Sequence, residues 1–209
     1  MRFEFENLEV NMNENIFRIS SAVILLSAIG ISGYFRRKAD RETGEKVSTK
    51  EEGKPIFLAL RLGGLLLWCN PLVYAIIPAW MAWSKMGLPD WMRWIGIGIG
   101  ISNLGLIIWM FRSIGTGISP TVATRREHKL STSGPYHWIR HPLYTFGTLA
   151  FISFGLIADS WFMVLLAALG IILLNIRTPN EEAHLIEKFG DEYREYMKRT
   201  GKYLPRMKF

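Results

Sequence analysis

The apolar run from Leu143 to Ile176 constrains the fold of this chain most, because it holds 34 residues and a single charged side chain, Asp159. A helix crosses the ~30 Å hydrocarbon core of a bilayer with about 20 residues. The run is too long for one crossing and barely long enough for two, and Ala158-Asp159-Ser160 interrupts its middle. We therefore predict a short helical hairpin whose second helix is capped by Asp159 or Ser160.

Three further apolar stretches are long enough to span a membrane: Ile16–Phe35, Ile56–Trp83 and Trp91–Phe111. The second is longer than one crossing needs, and its Asn70-Pro71 pair predicts a kink. The third carries glycines at 96, 98, 100 and 105, a small-residue pattern that allows helices to approach closely in lipid. With the hairpin, the count is five spans.

These spans, with hydrophobic residues at 49% of the sequence, predict an all-α integral membrane helical bundle formed by one domain, residues 1–209. Within it, residues 16–111 are expected to form three amino-terminal spans. Residues 112–209 are expected to carry a loop, the hairpin and a carboxyl-terminal helix. The single cysteine excludes an intrachain disulfide.

The distribution of Lys and Arg predicts an orientation. Seven lie in residues 36–55, five in 112–140 and eight in 177–209, so 20 of the 25 fall in segments that five spans place on one side. That side is expected to be cytoplasmic, with the amino terminus outside. The pI near 9.6 then indicates orientation and attraction to anionic headgroups rather than nucleic-acid binding, for which the sequence has no motif.

The segment GPYHWIRHPLY, residues 134–144, is the first candidate site, since it adjoins the apolar run and concentrates polar side chains. His137 and His141 are four residues apart, the spacing of two metal ligands on a helix, but Pro142 biases His141 away from helical dihedrals. No metal is expected. Taken singly, Arg140, His141 and Tyr144 are typical of anchors at the headgroup level. As a block between turn residues, they indicate a preorganised polar wall.

The second candidate segment follows the hairpin. Thr178-Pro179-Asn180-Glu181 has the spacing of a helix capping box, which gives Glu181 a structural role as an alternative to a functional one. Apolar residues then recur with helical spacing and predict an amphipathic cytoplasmic helix: Ala183, Leu185, Ile186, Phe189, Tyr193, Tyr196 and Met197. Because the hairpin joins the two segments, they are expected to emerge on the same membrane face and form a polar pocket.

These residues resemble the isoprenylcysteine carboxyl methyltransferases and the related phospholipid methyltransferases, integral membrane enzymes that use S-adenosylmethionine. The resemblance spans about residues 112–209. It is carried by His128-Lys129-Leu130, Gly134-Pro135-Tyr136, Arg140-His141-Pro142-x-Tyr144, the short hairpin, Glu181-Glu182 and Phe189-Gly190-x-x-Tyr193-x-x-Tyr196. One departure is Phe146, which stands where many relatives have glycine, with Gly147 next to it.

The resemblance implies S-adenosylmethionine as cofactor and no metal. It implies that Lys129 and Leu130 contact the cofactor through their backbone and that Glu182 accepts a hydrogen bond from its amino or hydroxyl group. Arg140 would pair with the cofactor carboxylate or with Glu181, and Arg177 would orient the methyl acceptor. The implied cofactor-binding residues are Lys129, Leu130, Gly134, Tyr136, Arg140, His141, Pro142, Tyr144 and Glu182, and the implied catalytic residues are Arg177 and Glu181.

The acceptor is expected to be lipophilic and to reach the site between helices at the cytoplasmic face: a prenylated cysteine, a membrane lipid or a small hydrophobic molecule. The sequence does not choose among them. A membrane sterol or enone reductase using NADPH is an alternative, because such enzymes share an Arg-His-Pro-Asn-Tyr-like signature, although Leu143 replaces the asparagine here. A non-catalytic membrane scaffold is the other alternative.

Overall fold

A computed structural model of the chain describes residues 2–43, 54–115 and 130–206, with side chains described for 12–42, 62–115 and 130–206. Within these ranges the structure is helical. The α-helices are α1 (Arg2–Thr43), α2 (Lys54–Ile76), α3 (Asp90–Ile114), α4 (Pro142–Ile157), α5 (Trp161–Phe189) and α6 (Asp191–Arg199), and short 3₁₀ helices occupy Pro78–Ser84 and Gly134–His137. Lys129 and residues 44–53 of the predicted loop 36–55 lie outside the described residues, whereas residues 36–43 belong to α1.

In the described part of the chain, three helices are long and apolar enough to cross a membrane: Met12–Glu42, Asp90–Ile114 and Trp161–Phe189. A fourth span exists if the bent pair Leu62–Ile76 and Pro78–Ser84 counts as one. The helix α4 is apolar but shorter, with 16 residues covering about 24 Å. An all-helical membrane bundle is therefore confirmed with three or four candidate spans, and the fifth span stays a prediction.

The predicted kink at Asn70-Pro71 is not where the second span bends. Helix α2 continues through Pro71 to Ile76, and the chain then turns by 117° into the 3₁₀ helix. The bend falls at Ile77, whose dihedrals (φ −131°, ψ 72°) are not helical. Pro78 explains the position, because proline disfavours helical dihedrals in the residue before it.

The predicted hairpin is formed by α4 and α5. Ser160 caps α5, since its hydroxyl oxygen accepts a hydrogen bond from the Met163 amide at 3.3 Å. Asp159, the other predicted cap, has a different role. It adopts φ 54° in the turn, and its carboxylate accepts from the amides of Gly87 and Leu88 at 3.2 and 2.8 Å.

Glycines of α3 allow the close approach that the sequence predicted, but only two of them do so. A Cβ atom on Gly96 would lie 2.9 Å from Leu156 Cβ, and one on Gly100 would lie 2.7 Å from Ser153 Oγ. Both face α4, with which α3 shares its most extensive interface. Gly98 and Gly105 face open space.

At one end of the helical bundle, Arg93 of α3 is buried and links several helices through hydrogen bonds. Its guanidinium donates to the Ile157 carbonyl at 3.0 Å, to the Tyr74 hydroxyl at 2.8 Å and to the Glu14 carboxylate at 2.9 Å. These bonds connect α1, α2, α3 and α4. Because the buried charge is both paired and hydrogen-bonded, its burial is compensated.

The carboxyl-terminal part differs from the single amphipathic helix that was predicted. Helix α5 runs unbroken through Pro179 to Phe189, so Thr178 does not begin a helix and the predicted capping box is wrong. The break comes instead at Gly190, whose φ of 58° ends α5 and starts α6. The amphipathic helix is therefore not confirmed, because two helices replace it.

Candidate active site

The site lies at the end of the bundle opposite Arg93, where α3 ends and α4 begins. The chain enters it through the 3₁₀ turn at Gly134, which has φ 56°. A Cβ atom there would lie 2.0 Å from the Ser113 hydroxyl oxygen at the end of α3, so only glycine fits. Leu130, just upstream, is half-buried. The turn then leads to Arg140 and His141.

Arg140, His141 and Glu182 form a buried ionic cluster. Arg140 Nε lies 2.8 Å from Oε1 of Glu182, and His141 Nε2 lies 3.2 Å from the same oxygen. Pro142 is the first residue of α4, and His141 precedes it with φ −120° and ψ 59°, outside the helical region as the sequence predicted. The predicted pairing of Arg140 with Glu181 is wrong: its partner is Glu182.

Glu181 is held by a different residue. The Tyr144 hydroxyl donates to Glu181 Oε2 at 2.5 Å. The Tyr144 ring stacks on His141 with centroids 5.4 Å apart and planes 6° apart, which joins this pair to the ionic cluster. Arg177 lies one turn before Glu181 on α5, and its positive charge acts on the Tyr144 phenol. The structure thus brings together the predicted residues of the two segments.

Residues 200–206 run back across the site, and we call them the strap. The strap accepts backbone hydrogen bonds from Arg140 and His141 through the carbonyls of Gly201 and Lys202, at 2.9 and 3.1 Å. The Thr200 carbonyl also accepts from Arg140 Nη1 at 2.6 Å. Arg140 is therefore held by its backbone amide and by two guanidinium atoms, Nε bonded to Glu182 and Nη1 bonded to the strap.

Tyr203 of the strap was not predicted as a site residue. Its hydroxyl shares a 2.6 Å hydrogen bond with Thr178 Oγ1, and its carbonyl accepts from Thr145 Oγ1 at 2.7 Å. Its ring lies 6.0 Å from that of His141 and 6.5 Å from that of Tyr144. Sequence spacing does not indicate these contacts. The strap follows α5 and α6 along the chain and reaches the start of α4 only in the folded structure.

Tyrosines from the turn and from α6 form the remaining wall. The Tyr196 hydroxyl donates to the Tyr136 carbonyl at 2.6 Å, which fastens α6 to the turn. Burial raises the pKa of Tyr196 to about 12 and the pKa values of Tyr136 and Tyr193 further. All three phenols are consequently neutral hydrogen-bonding groups at physiological pH.

An apolar groove of about 470 Å³ opens between α4 and α5 and meets the cluster at Tyr144. Its lining residues are Tyr144, Thr145, Thr148, Leu149, Ile152, Ile171, Leu174, Tyr203 and Leu204. Although Thr145 and Thr148 are among them, the surface that these residues expose to the groove is almost entirely apolar. The groove therefore suits a hydrocarbon. Its polar end is formed by Tyr144 and Tyr203.

Phe146 occupies the position at which many relatives have glycine. It is a buried residue within α4 rather than in a turn, and it packs in a cluster with Ile107, Met110 and Phe111. Its carbonyl accepts from Asn103 Nδ2 at 2.9 Å. The side chain therefore fills the interface with α3, while Gly147 faces open space.

The site is thus a buried ionic cluster at one end of a helical bundle, joined at Tyr144 to an apolar groove. Residues 91–192 match the model of the family described as Phospholipid methyltransferase. This match covers just under half of the chain, and it includes the ionic cluster and the α4–α5 hairpin, so over this segment the chain is similar to that family.

Two curated relatives differ in what their names describe. Over 86 residues the chain is 29% identical to the nickel-cobalt-cadmium resistance protein NccN of Alcaligenes xylosoxydans xylosoxydans, covering 41% of this chain and 40% of that protein. Over 134 residues it is 36% identical to the protein-S-isoprenylcysteine O-methyltransferase of Homo sapiens, covering 60% of this chain and 45% of that one. The chain thus spans less than half the length of either relative.

The fold is similar to a solved structure of the eukaryotic intramembrane Ras methyltransferase, isoprenylcysteine carboxyl methyltransferase. The TM-score is 0.55 with 19% sequence identity, covering 89% of this chain and 67% of that chain. At this identity the likeness concerns the fold alone.

Proposed function

We propose that this protein is an S-adenosylmethionine-dependent methyltransferase that acts on a lipophilic acceptor at the cytoplasmic face of the membrane. The observation that carries the proposal is the junction at Tyr144, where the apolar groove meets the buried ionic cluster. A methyltransferase for such an acceptor needs a polar cofactor site and an apolar acceptor site that share one boundary. Tyr144 and Tyr203 provide that boundary.

The residues present fit the cofactor. S-adenosylmethionine has a zwitterionic amino-acid end, a ribose and an adenine, and so requires a cation, an anion, hydrogen-bonding groups and an apolar surface. Arg140 and Glu182 supply the two charges, and the Tyr144 ring stacks on His141 beside them. In this proposal Lys129, Leu130, Gly134, Tyr136, Arg140, His141, Pro142, Tyr144 and Glu182 form the cofactor site.

The protein's part in the reaction is positioning and exclusion of water. The cofactor, when bound, supplies a methyl group already activated by its sulfonium, so no metal or covalent enzyme group is needed. Glu181, fixed by Tyr144, and Arg177 on the same face of α5 orient the polar head of the acceptor. The apolar groove holds its hydrocarbon part and keeps water from the reacting atoms.

We infer the chemical class of the acceptor from the apolar lining of the groove, not from the name of any relative. The human relative is named for a prenylated cysteine, whereas the name of NccN describes metal resistance and specifies no acceptor. A prenylated cysteine, a membrane lipid and a small hydrophobic molecule each combine a polar atom with a hydrocarbon body that the groove can hold. In the described residues, no group of three or more His, Cys, Asp and Glu side chains is arranged to hold a metal ion.

The topology we propose has five spans, with the amino terminus outside and the site inside. In this topology, α4 and the bent pair Leu62–Ile76 and Pro78–Ser84 supply the two spans beyond the three long helices. The Lys and Arg bias supports this orientation. Three spans in residues 16–111 then support a motif-bearing part in residues 112–209.

Ligand-dependent thermal unfolding of the detergent-purified protein tests the proposed function. S-adenosylhomocysteine is expected to raise the unfolding temperature by an amount that grows with the logarithm of its concentration above its dissociation constant, and NADPH is not. NADPH carries a pyrophosphate and a 2′-phosphate, which the Glu181 and Glu182 carboxylates would repel, whereas S-adenosylhomocysteine carries no phosphate. Equal stabilisation by NADPH would favour a reductase, and stabilisation by neither would favour a scaffold.

A further inference from the structure

Tyr193 of α6 has a buried hydroxyl without a hydrogen-bond partner among the described residues. Its side chain is 2% exposed. The neighbouring Tyr196, with its ring centroid 5.8 Å away, is equally buried, but its hydroxyl donates to the Tyr136 carbonyl. The two tyrosines lie three residues apart on α6 and are equally buried. Only the Tyr196 hydroxyl has a hydrogen-bond partner among the described residues.

A buried hydroxyl that lacks a partner destabilises the folded state, because it loses hydrogen bonds to water and gains none. Phenylalanine fills the same volume without this cost. The hydroxyl of Tyr193 is thus unexplained by packing, which the ring alone provides. Such a group is accounted for when a ligand supplies the missing partner.

The surroundings of Tyr193 place it in the candidate site. Its phenol interacts electrostatically with the carboxylates of Glu182 and Glu181 and with the Arg140 guanidinium. Burial raises the pKa of Tyr193, so the group stays a neutral phenol. Two carboxylates beside one guanidinium favour a hydrogen-bond donor as the nearest ligand group over an anionic one.

We infer that the Tyr193 hydroxyl is a further cofactor contact, which accepts a hydrogen bond from the ammonium group or a ribose hydroxyl of S-adenosylmethionine. This inference rests on the proposed function. It assigns to α6 a direct part in cofactor binding, whereas the aromatic residues of this segment are otherwise explained by packing. The helix that Gly190 separates from α5 thereby becomes one wall of the cofactor site.

Tyr193→Phe and the matched control Tyr196→Phe test the inference, with unfolding temperature and S-adenosylhomocysteine affinity measured on each purified protein. Without ligand, Tyr193→Phe should unfold at or above the wild-type temperature, because it removes an unpaired buried hydroxyl. Tyr196→Phe should unfold at a lower temperature, because the Tyr136 carbonyl loses its donor. In titration calorimetry, Tyr193→Phe should bind S-adenosylhomocysteine about fivefold more weakly or worse.

Methylthioadenosine, which keeps the ribose and lacks the amino-acid end, locates the contact. A loss of affinity for both ligands indicates the ribose, and a loss for S-adenosylhomocysteine alone indicates the ammonium group. Wild-type affinity in Tyr193→Phe, or a fall in unfolding temperature like that of Tyr196→Phe, would overturn the inference alone. If the wild-type protein binds neither ligand, the proposed function fails and this inference fails with it.

Discussion

Oxygen Oε1 of Glu182 lies 2.8 Å from Nε of Arg140, and the two side chains are 11% and 10% exposed. The same oxygen lies 3.2 Å from His141 Nε2. One carboxylate oxygen therefore organises both polar residues of the loop that precedes α4. The geometry of the whole ionic cluster depends on the charge of Glu182.

Glu182→Gln is expected to weaken S-adenosylhomocysteine binding by roughly 10- to 150-fold. A lost charge-assisted hydrogen bond costs ~1.5–3 kcal/mol, and the buried Arg140 guanidinium loses its counter-ion. Calorimetric titration of folded protein measures the change. Glu187→Gln, at an exposed position of the same helix, is the matched control and should bind as wild type does. An unchanged dissociation constant for Glu182→Gln would limit this carboxylate to helix electrostatics.

Arg177→Ala is expected to fold and to bind S-adenosylhomocysteine within about threefold of wild type, yet to lose most methyl transfer. Loss of acceptor orientation lowers turnover and leaves ground-state cofactor affinity intact. The measurement is transfer of a radiolabelled methyl group to whichever lipophilic acceptor proves active. Arg194→Ala, which removes an exposed cation from α6, serves as the control. Full transfer by Arg177→Ala would make Arg177 a headgroup anchor, and a collapse of cofactor affinity would place it in the cofactor site.

Ile152→Trp is expected to raise the KM for the acceptor about tenfold or more while leaving S-adenosylhomocysteine affinity unchanged. The larger side chain occupies part of the 470 Å³ groove far from the ionic cluster. Ile172→Trp adds the same volume on α5 at a position that is 55% exposed and outside the groove, so it should behave as wild type. If both variants leave the acceptor KM unaltered, the acceptor does not use this groove.

A cysteine-accessibility map is expected to place loop 36–55 and the carboxyl terminus on the same, cytoplasmic side of the membrane. Single cysteines in a Cys69→Ser background, labelled by an impermeant maleimide before and after permeabilisation, provide the measurement. A position near Lys85 should label from outside. Labelling of loop 36–55 and the carboxyl terminus from opposite sides would contradict five spans.

The sequence predicted the parts of this structure that local physics determines. The length of the apolar run, with Asp159 or Ser160 as a capping residue, predicted the hairpin, and the hairpin in turn brought Arg140 close to the Glu181-Glu182 pair. Of the two partners predicted for Arg140, the cofactor carboxylate stays a prediction and Glu181 is wrong. Neighbouring residues on a helix point about 100° apart, and the rotation of α5 depends on packing.

The remaining errors have the same origin in tertiary structure. Thr178 has the spacing of a cap, yet its hydroxyl bonds to the Leu174 carbonyl and to Tyr203, within a helix that continues. The strap contributes no periodic pattern, so its contacts with the site had no signal in the sequence. Lys129 lies outside the described residues, and its predicted cofactor contact stays a prediction.

The strap has a consequence for the order in which the protein is made. Residues 200–206 follow the six α-helices of the described ranges along the chain, yet their carbonyls hold Arg140 and His141 in place. During synthesis the helices can enter the membrane while the ionic cluster still lacks these bonds. A nascent chain that has not yet released residue 203 from the ribosome has membrane helices but an unfinished site. The bonds that fix Arg140 and His141 therefore form only after the helices that carry the rest of the cluster have been synthesised.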